Sequence, residues 1–466
     1  MTPSEMPSNP RRSFLRSLGG LTAGIAAFPA FSSAQTGTAN TPIRLSGAKY
    51  MGDFAAPKLE KVKVAIIGVG ARGSGHAAQL ASIKGVEFVG ICDLVEGRAK
   101  KAEANVIKSG HTPKVYFGEE DAWKKMLAET NPDAVFIVTP WNVHAPMCVA
   151  SMKAGSHAFS EVPIAVTLKE MWEIVDTSEA TGRHCMMMEN VNYGREELVY
   201  LNMVRQGVLG DLLHGEAAYL HPLREQMENG DSTGSWRTFQ YANRNGNLYP
   251  THGLGPVAQY MNLARTEDTF ARMTSFSSPA KGRALYAKKS TKLTNPEFKN
   301  LDFKGGDMST SIIKTALGRT IMVQWDETTP RPYTRHNLIM GVNGVLAGFP
   351  NRMSIEGITQ DHSKGWAEDA AWEEIAAKYE HPLYKRMGEL AKEKGGHGGM
   401  DFLMLFRIIE CLQKGEPLDQ NVYEGCFWSA VGPLSEKSVA EDGSSQAFPD
   451  FTRGNWKTTK PLSIIA

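Results

Sequence analysis

KVKVAIIGVGARGSGHAAQL, residues 61–80, is the stretch that decides the fold. Val62, Val64, Ala65, Ile66 and Ile67 form a largely apolar, β-branched run, suited to a strand buried on both faces. The run passes directly into Gly68-Val69-Gly70-Ala71-Arg72-Gly73, and a helix-compatible segment follows. A second apolar run, VEFVGICD (86–93), ends in Asp93, about 20 residues beyond Gly73. A strand, a G-x-G-x-x-G turn, a helix and a second strand ending in an acid form the fingerprint of a dinucleotide-binding unit. Each glycine has a physical task. Gly68 permits the tight turn, Gly70 lets a pyrophosphate approach the backbone, and Gly73 lets helix and strand pack closely. The helix start then offers unpaired N–H groups and a positive dipole end to the phosphates. Asp93 is placed to accept the ribose hydroxyls, and its charge repels a 2′-phosphate, which favours NAD over NADP. Arg72 pulls the other way, because an arginine there can bind phosphate.

Outward from this unit the alternation continues. Helices are expected around 95–108 and 119–130, then the strand DAVFIVTP (133–140), the helix VHAPMCVASMKAG (143–155) and the short strand HAFSE. Thr167 and Glu170 form a capping box that opens a helix burying Met171, Ile174 and Val175. HCMMMEN (184–190) is a further strand. This is α/β: a parallel sheet covered on both faces, over residues 61–190. From 191 the character changes. FARMTSFSSPA, STSIIKTAL, TIMVQWDET, HNLIMGV and VLAGF read as strands joined by tight turns, with helices at 195–208, 368–379, 382–394, 399–414 and 421–431. Residues 191–466 are therefore expected to form an α+β domain, an antiparallel sheet with flanking helices.

The first residues stand apart. Arg11-Arg12-Ser13-Phe14-Leu15-Arg16 precedes an apolar Gly/Ala-rich run from Leu18 to Phe31, and Ser32-Ser33-Ala34 supplies small residues for cleavage. Residues 1–34 are read as an export signal of twin-arginine type, too short and glycine-rich for a good membrane span. Residues 35–60 are expected to be a polar leader or tether. A net charge of +1 gives no electrostatic case for nucleic acid or an acidic surface. The five cysteines, Cys92, Cys148, Cys185, Cys411 and Cys426, show neither disulfide nor zinc spacing and read as buried thiols. No metal site is expected. The expected location is periplasmic or secreted, with no membrane association after signal removal. The open sheet face is a candidate homodimer surface.

Thr139-Pro140-Trp141-Asn142-Val143-His144 and Glu161-Val162-Pro163 resemble the Gfo/Idh/MocA oxidoreductase superfamily. The resemblance implies a Rossmann domain followed by an open sheet domain. Dehydrogenases of that superfamily carry Glu-Lys-Pro, with the lysine moving the alcohol proton; this chain has Val162 instead. With Glu189-Asn190-Val191-Asn192-Tyr193, Tyr249-Pro250-Thr251-His252-Gly253 and Arg331-Pro332-Tyr333, the chain from about 60 to 460 resembles glycoside hydrolase family 109, the NAD-dependent α-N-acetylgalactosaminidases. The resemblance places nucleotide contacts on Ala71, Arg72, Asp93, Trp141, Asn142, Val143, His144, Glu161, Val162, Asn190 and Tyr249, besides the glycines. It places sugar contacts on Tyr219, Arg237, Tyr249, Pro250, Thr251, His252 and Tyr333, and proton transfer on His252 and Tyr193.

The mechanism implied is unusual. Most glycosidases use two carboxylates about 5–9.5 Å apart. Here the resemblance implies oxidation at C3 of the sugar by NAD⁺, loss of the C2 proton, elimination of the C1 group, addition of water and reduction of C3, with retention. Histidine suits such proton transfer, its ordinary pKa lying near 6.5. Other readings stand beside this one. His252 could satisfy the helix start near Gly253, Tyr193 could be packing, Trp141 and Tyr333 could be core aromatics, and His397-Gly398-Gly399 could be a structural turn. The rivals are an exported NAD(P)-dependent sugar oxidoreductase of the same fold and a non-catalytic sugar- or nucleotide-binding protein.

Overall fold

The structure, a computed structural model, describes residues 41–230, 233–359 and 365–463. Residues 1–34, read above as an export signal, and residues 35–40 lie outside the described residues. The parallel half runs β1 (Val62–Ile67), α1 (Ala71–Ala81), β2 (Val86–Asp93), α2 (Glu96–Lys108), β3 (Lys114–Phe117), α3 (Ala122–Thr130), β4 (Ala134–Ile137), α4 (His144–Lys153), β5 (His157–Ser160), α5 (Leu168–Thr181) and β6 (Cys185–Met187). All six strands are parallel, in the order β3-β2-β1-β4-β5-β6. This is the Rossmann order 3-2-1-4-5-6, whose ligand crevice lies at the carboxyl ends of the strands. Central strands β4 and β5 are buried at every position, as a sheet covered on both faces requires. Strand β3 was not expected from the sequence. Of KVYF only Tyr116 is buried, so the edge strand carries no hydrophobic alternation. The capping box forms as read: Glu170 N donates to Thr167 Oγ1, and Thr167 N donates to the Glu170 carboxylate.

The second half contributes α6 (Arg195–Arg205), β7 (Leu212–Leu220), α7 (Thr233–Asn243), α8 (Thr251–Tyr260), β8 (Phe270–Ser277), α9 (Gly282–Lys289), β9 (Ser309–Thr315), β10 (Thr320–Asp326), β11 (Leu338–Gly341), β12 (Gly344–Ala347), β13 (Arg352–Ile355) and β14 (Ala367–Glu368). It continues through α10 (Asp369–Lys378), α11 (Pro382–Lys394), α12 (Met400–Lys414), α13 (Val422–Ala440) and β15 (Gln446–Ala447). Its nine strands take the order β14-β13-β12-β11-β7-β10-β9-β8-β15. The sheet is mixed rather than wholly antiparallel, because β7 and β10 pair in parallel. The long connection between them carries α7, α8, β8, α9 and β9, and a parallel pair needs such a crossover. One face, with Met273, Ile313, Ile321, Val323 and Ile339, is buried; the other exposes Phe276, Ile312 and Met340. The last long helix runs on to Ala440, beyond the expected end at 431, and accommodates Pro433.

Residues 41–60 are not a loose tether. Met51 and Ala56 are buried, Tyr50 stacks on Tyr423 with ring centroids 4.9 Å apart, and Arg44 pairs with Glu179 at 3.0 Å. Tyr50 thus packs on α13, while Arg44 and the Lys49 N–H reach Glu179 of α5, partners that the sequence of the segment does not reveal. All five cysteines are buried and unbridged. Among the described residues no helix is long and apolar enough to cross a membrane.

Candidate active site

The glycine turn has the shape that a dinucleotide needs. Gly68 takes φ +87°, and a Cβ there would run into the carbonyl of Val138. A Cβ on Gly73 would overlap the carbonyl oxygen of Gly68. Gly70 is different: a Cβ would have nothing nearer than Arg98 Nη1 at 3.9 Å, so space lies open above it. No side chain caps the start of α1, and Ala71 and Asn142 are exposed beside that opening. Uncapped N–H groups and an open glycine surface at a strand end fit a pyrophosphate. Asp93 accepts from Val69 N at 2.8 Å and from Val95 N at 2.9 Å. It therefore shapes the glycine loop, and each of its oxygens keeps a second lone pair for a ribose hydroxyl. Asn190 Oδ1 is buried without a protein partner, a polar atom at the same sheet end.

Several expected contacts turn out to be occupied. Arg72 donates from Nε to Glu161 (2.9 Å) and from its two Nη atoms to Asp401 (2.6 and 2.9 Å). Two carboxylates hold it, which weakens the argument that it serves a 2′-phosphate. His76 Nε2 lies 2.8 Å from Glu161, and Asn190 Nδ2 donates to Asp401 at 2.7 Å. Burial alone would raise the Glu161 carboxyl, but Arg72 and His76 outweigh it and hold the group well below its ordinary value. His397 Nδ1 sits 2.9 Å from Asp401, so the glycine-rich turn of residues 395–399 closes against this charge cluster. His144 is wholly buried, its nitrogens 2.7 and 2.8 Å from the carbonyl oxygens of Pro163 and Thr139. Its side chain ties two loops of the strand-end crevice together and does not reach a ligand; burial depresses its pKa. Val143 is half-buried, and Val162 is 2% exposed, within the apolar core.

The second half brings the expected sugar residues into one aromatic box. Tyr249 stacks on Trp141 at 5.6 Å, and Arg237 lies over both rings, at 4.8 and 5.3 Å from their centroids. Tyr219 lies 5.1 Å from Tyr249, 5.0 Å from His252 and 6.1 Å from Tyr333. Trp141 thus belongs to the core and to the site at once. Burial raises the Tyr219 and Tyr249 phenols, and the Tyr249 hydroxyl accepts from Arg237 Nη2 at 3.3 Å. Pro250 and Thr251 need correction: both are buried at the start of α8, where they position His252 rather than present side chains. Tyr193 needs one too. Its hydroxyl donates to Asp419 at 3.1 Å in the second apolar cluster, away from the box. Burial and Asp419 push the phenol well above its ordinary value, so Tyr193 is not suited to accept a proton.

The structure also adds residues that the sequence did not single out. His252 Nδ1 lies 2.6 Å from Glu189 Oε1. Glu189 follows β6 at a carboxyl strand end and opens the Glu189-to-Tyr193 motif, two signals that pointed to it without giving it a role. Glu327 accepts from Tyr241 and lies 3.9 Å from Arg237, and His221 packs 4.9 Å from Tyr333.

A Rossmann domain whose strand ends face an aromatic, histidine- and arginine-lined box on a mixed sheet defines a two-domain dinucleotide enzyme. The model of the oxidoreductase family with NAD-binding Rossmann fold matches residues 62–189, and that of the glycosyl hydrolase 109 C-terminal domain matches residues 193–458. The chain is 57% identical to glycosyl hydrolase family 109 protein 1 of Akkermansia muciniphila, over 98% of this chain and 99% of that one. It is 51% identical to an alpha-N-acetylgalactosaminidase of Shewanella oneidensis, over 98% of each. Among solved structures, an NAD binding oxidoreductase from Klebsiella pneumoniae superposes with a TM-score of 0.63 at 15% identity, covering 84% of this chain and 99% of that one. A levoglucosan dehydrogenase in complex with NADH and levoglucosan gives 0.61 at 17% identity, covering 84% and 100%. The chain belongs to glycosyl hydrolase family 109. It is an NAD-dependent glycoside hydrolase on the Gfo/Idh/MocA fold.

Proposed function

We propose that this enzyme hydrolyses terminal α-linked N-acetylgalactosamine with retention, through transient oxidation of the sugar at C3. The observation that carries the reading is His252, partly exposed, placed between Tyr219 and Tyr249 with Nδ1 already engaged. The relative named alpha-N-acetylgalactosaminidase supports the choice of sugar. Gly68, Gly70 and Gly73, with Asp93 and Asn190 beside them, would hold NAD, which when bound would supply reversible two-electron oxidation at C3. With C3 at the ketone level the C2 proton is acidic, and His252 accepts it on Nε2. The electron pair left at C2 expels the group at C1. Water then adds to C1, giving its spare proton to the departed anion, His252 returns a proton to C2, and return of the electron pair to C3 restores the alcohol. Arg237 and the protonated Tyr219 and Tyr249 donate to sugar oxygens and stabilise negative charge as it develops. Val162 supplies no ammonium where dehydrogenases of this fold carry lysine, which favours internal return of the electrons over net redox chemistry.

The test uses p-nitrophenyl α-N-acetylgalactosaminide in D₂O without added NAD. Steady nitrophenol release, no accumulation of NADH, and deuterium at C2 of the product are expected. Product with only hydrogen at C2 argues against the elimination route, and NADH accumulating with sugar and added NAD assigns net oxidoreductase activity instead. Export by the twin-arginine route is part of the same proposal and rests on residues 11–34. Recovery of the chain from the periplasm, starting near residue 35, tests it.

A further inference from the structure

The parallel half contributes more to proton transfer than the dinucleotide site. Glu189 stands at the carboxyl end of β6, and its side chain caps the short helical turn Asn190–Tyr193 by accepting from Val191 N at 3.2 Å. The same oxygen, Oε1, lies 2.6 Å from His252 Nδ1. Glu189 is completely buried, and Oε2 has no protein partner. Its backbone carbonyl accepts from Gln420 Nε2 at 3.1 Å. Gly255 lies nearly one helical turn beyond His252, and a Cβ there would come 2.9 Å from Glu189 Cγ. Helix α8 is therefore seated on the Glu189 side chain, and the carboxylate is held from several sides.

A buried carboxylate is costly unless hydrogen-bond donors compensate it. Here the imidazole N–H is one of the two donors to the side chain. A carboxylate at Nδ1 keeps the proton on Nδ1, so Nε2 is the nitrogen with a lone pair, and the ring is fixed in orientation. We propose that Glu189 is the positioning residue for the C2 base: it sets the tautomer and rotamer of His252 and stabilises the imidazolium that forms. The inference rests on the reading of His252 as that base. In the step concerned the C2–H bond breaks, the proton bonds to Nε2, and the electron pair stays on the sugar as C2=C3 enolate. Glu189 gains no proton; its negative charge faces the positive ring until the proton returns to C2. Because Glu189 belongs to the parallel sheet and His252 to the second half, the pair also registers the base against the strand ends that hold the cofactor.

Glu189→Gln tests the proposal, since it keeps the shape and removes the charge. The expected result is a kcat lowered about 100-fold, comparable to losing a positioned base. KM for p-nitrophenyl α-N-acetylgalactosaminide should stay within about threefold, and the isotope effect of C2-deuterated substrate on kcat should be no smaller than in wild type. Histidine-selective ¹⁵N NMR should assign the His252 proton to Nδ1 in wild type and to a mixture of both nitrogens in the variant. Wild-type kcat in the variant overturns the proposal. So does a loss of kcat in which the C2 isotope effect collapses, or a wild-type His252 with its proton on Nε2. If wild-type enzyme incorporates no solvent deuterium at C2, the elimination route itself fails, and that result is distinct from the failures of Glu189 alone.

Discussion

Arg72, one residue into α1, and Asp401, one residue into α12, form a two-pronged ion pair with distances of 2.6 and 2.9 Å, although 329 residues separate them in the chain. Asn190 joins the same carboxylate, and Glu161 holds the other side of the guanidinium. The start of the nucleotide-binding helix is thereby fastened to the second half of the molecule. An arginine that the sequence offers as a phosphate ligand is a structural clamp beside the dinucleotide crevice.

Asp401→Asn should loosen that clamp. Burial alone would raise the Asp401 carboxyl, but the hydrogen bond from His397 and the charge of Arg72 hold it at about 2 against an ordinary 3.8. A carboxylate depressed on folding stabilises the native state above its unfolded value, and the contribution is lost as pH falls toward the folded one. The window is therefore from about pH 5 down to 2, and the contribution at neutral pH is about 2 kcal/mol. Urea unfolding should show the variant destabilised by about that amount at pH 7. The difference from wild type should shrink as pH falls through the window. NAD content after gel filtration should also fall in the variant.

Two glycines three residues apart should fail for different reasons. Gly73→Ala forces a methyl into the Gly68 carbonyl, so the soluble folded yield should collapse. A Cβ on Gly70 meets open space, but its backbone, at φ −70° and ψ −145°, lies outside the regions that an L-residue favours, so Gly70→Ala should fold with a loss of about 1–3 kcal/mol. The methyl occupies the surface that the pyrophosphate must approach, and bound NAD should fall at least about tenfold. Thermal unfolding and NAD content of the purified proteins separate the two effects.

His252→Ala should lower turnover at least about tenfold while NAD remains bound, because the residue faces the aromatic box and not the glycine turn. Wild-type turnover in this variant would remove His252 from the mechanism. Tyr193→Phe should leave turnover within about threefold and act on stability through the lost bond to Asp419.

Acid should weaken the fold well before the carboxylates titrate. Burial lowers His157 and His381 from 6.5 to about 4. Between those values the unfolded chain binds more protons than the native one, so stability falls as pH drops from 6.5 to 4. The urea midpoint should decline across this range. His157→Gln, which cannot titrate, should flatten part of the slope.

Much of the parallel half was legible because its signals are local. The β-branched run into Gly68, the glycine spacing, Asp93 at a strand end and the Thr167–Glu170 cap each depend on neighbours a few residues away. Backbone geometry enforces such patterns directly: Gly68 needs its positive φ and Gly73 its missing Cβ, whatever the rest of the chain does. The edge strand β3 escaped because one buried side chain in four gives no period to read. The candidate sugar residues Tyr219, Arg237, Tyr249, His252 and Tyr333 were named from a family resemblance, and the fold gathers them into one box.

Only the tertiary structure decided what each polar side chain does. Arg72 binds Asp401, His144 is enclosed between two carbonyls, and Tyr193 reaches Asp419 in the core. Each partner comes from a distant segment, and burial fixes which charges are compensated and which groups can still exchange a proton. The pairing of β7 with β10 and of Glu189 with His252 has the same origin. Local spacing sets which elements form, whereas the close packing of those elements sets which donors and acceptors must satisfy one another.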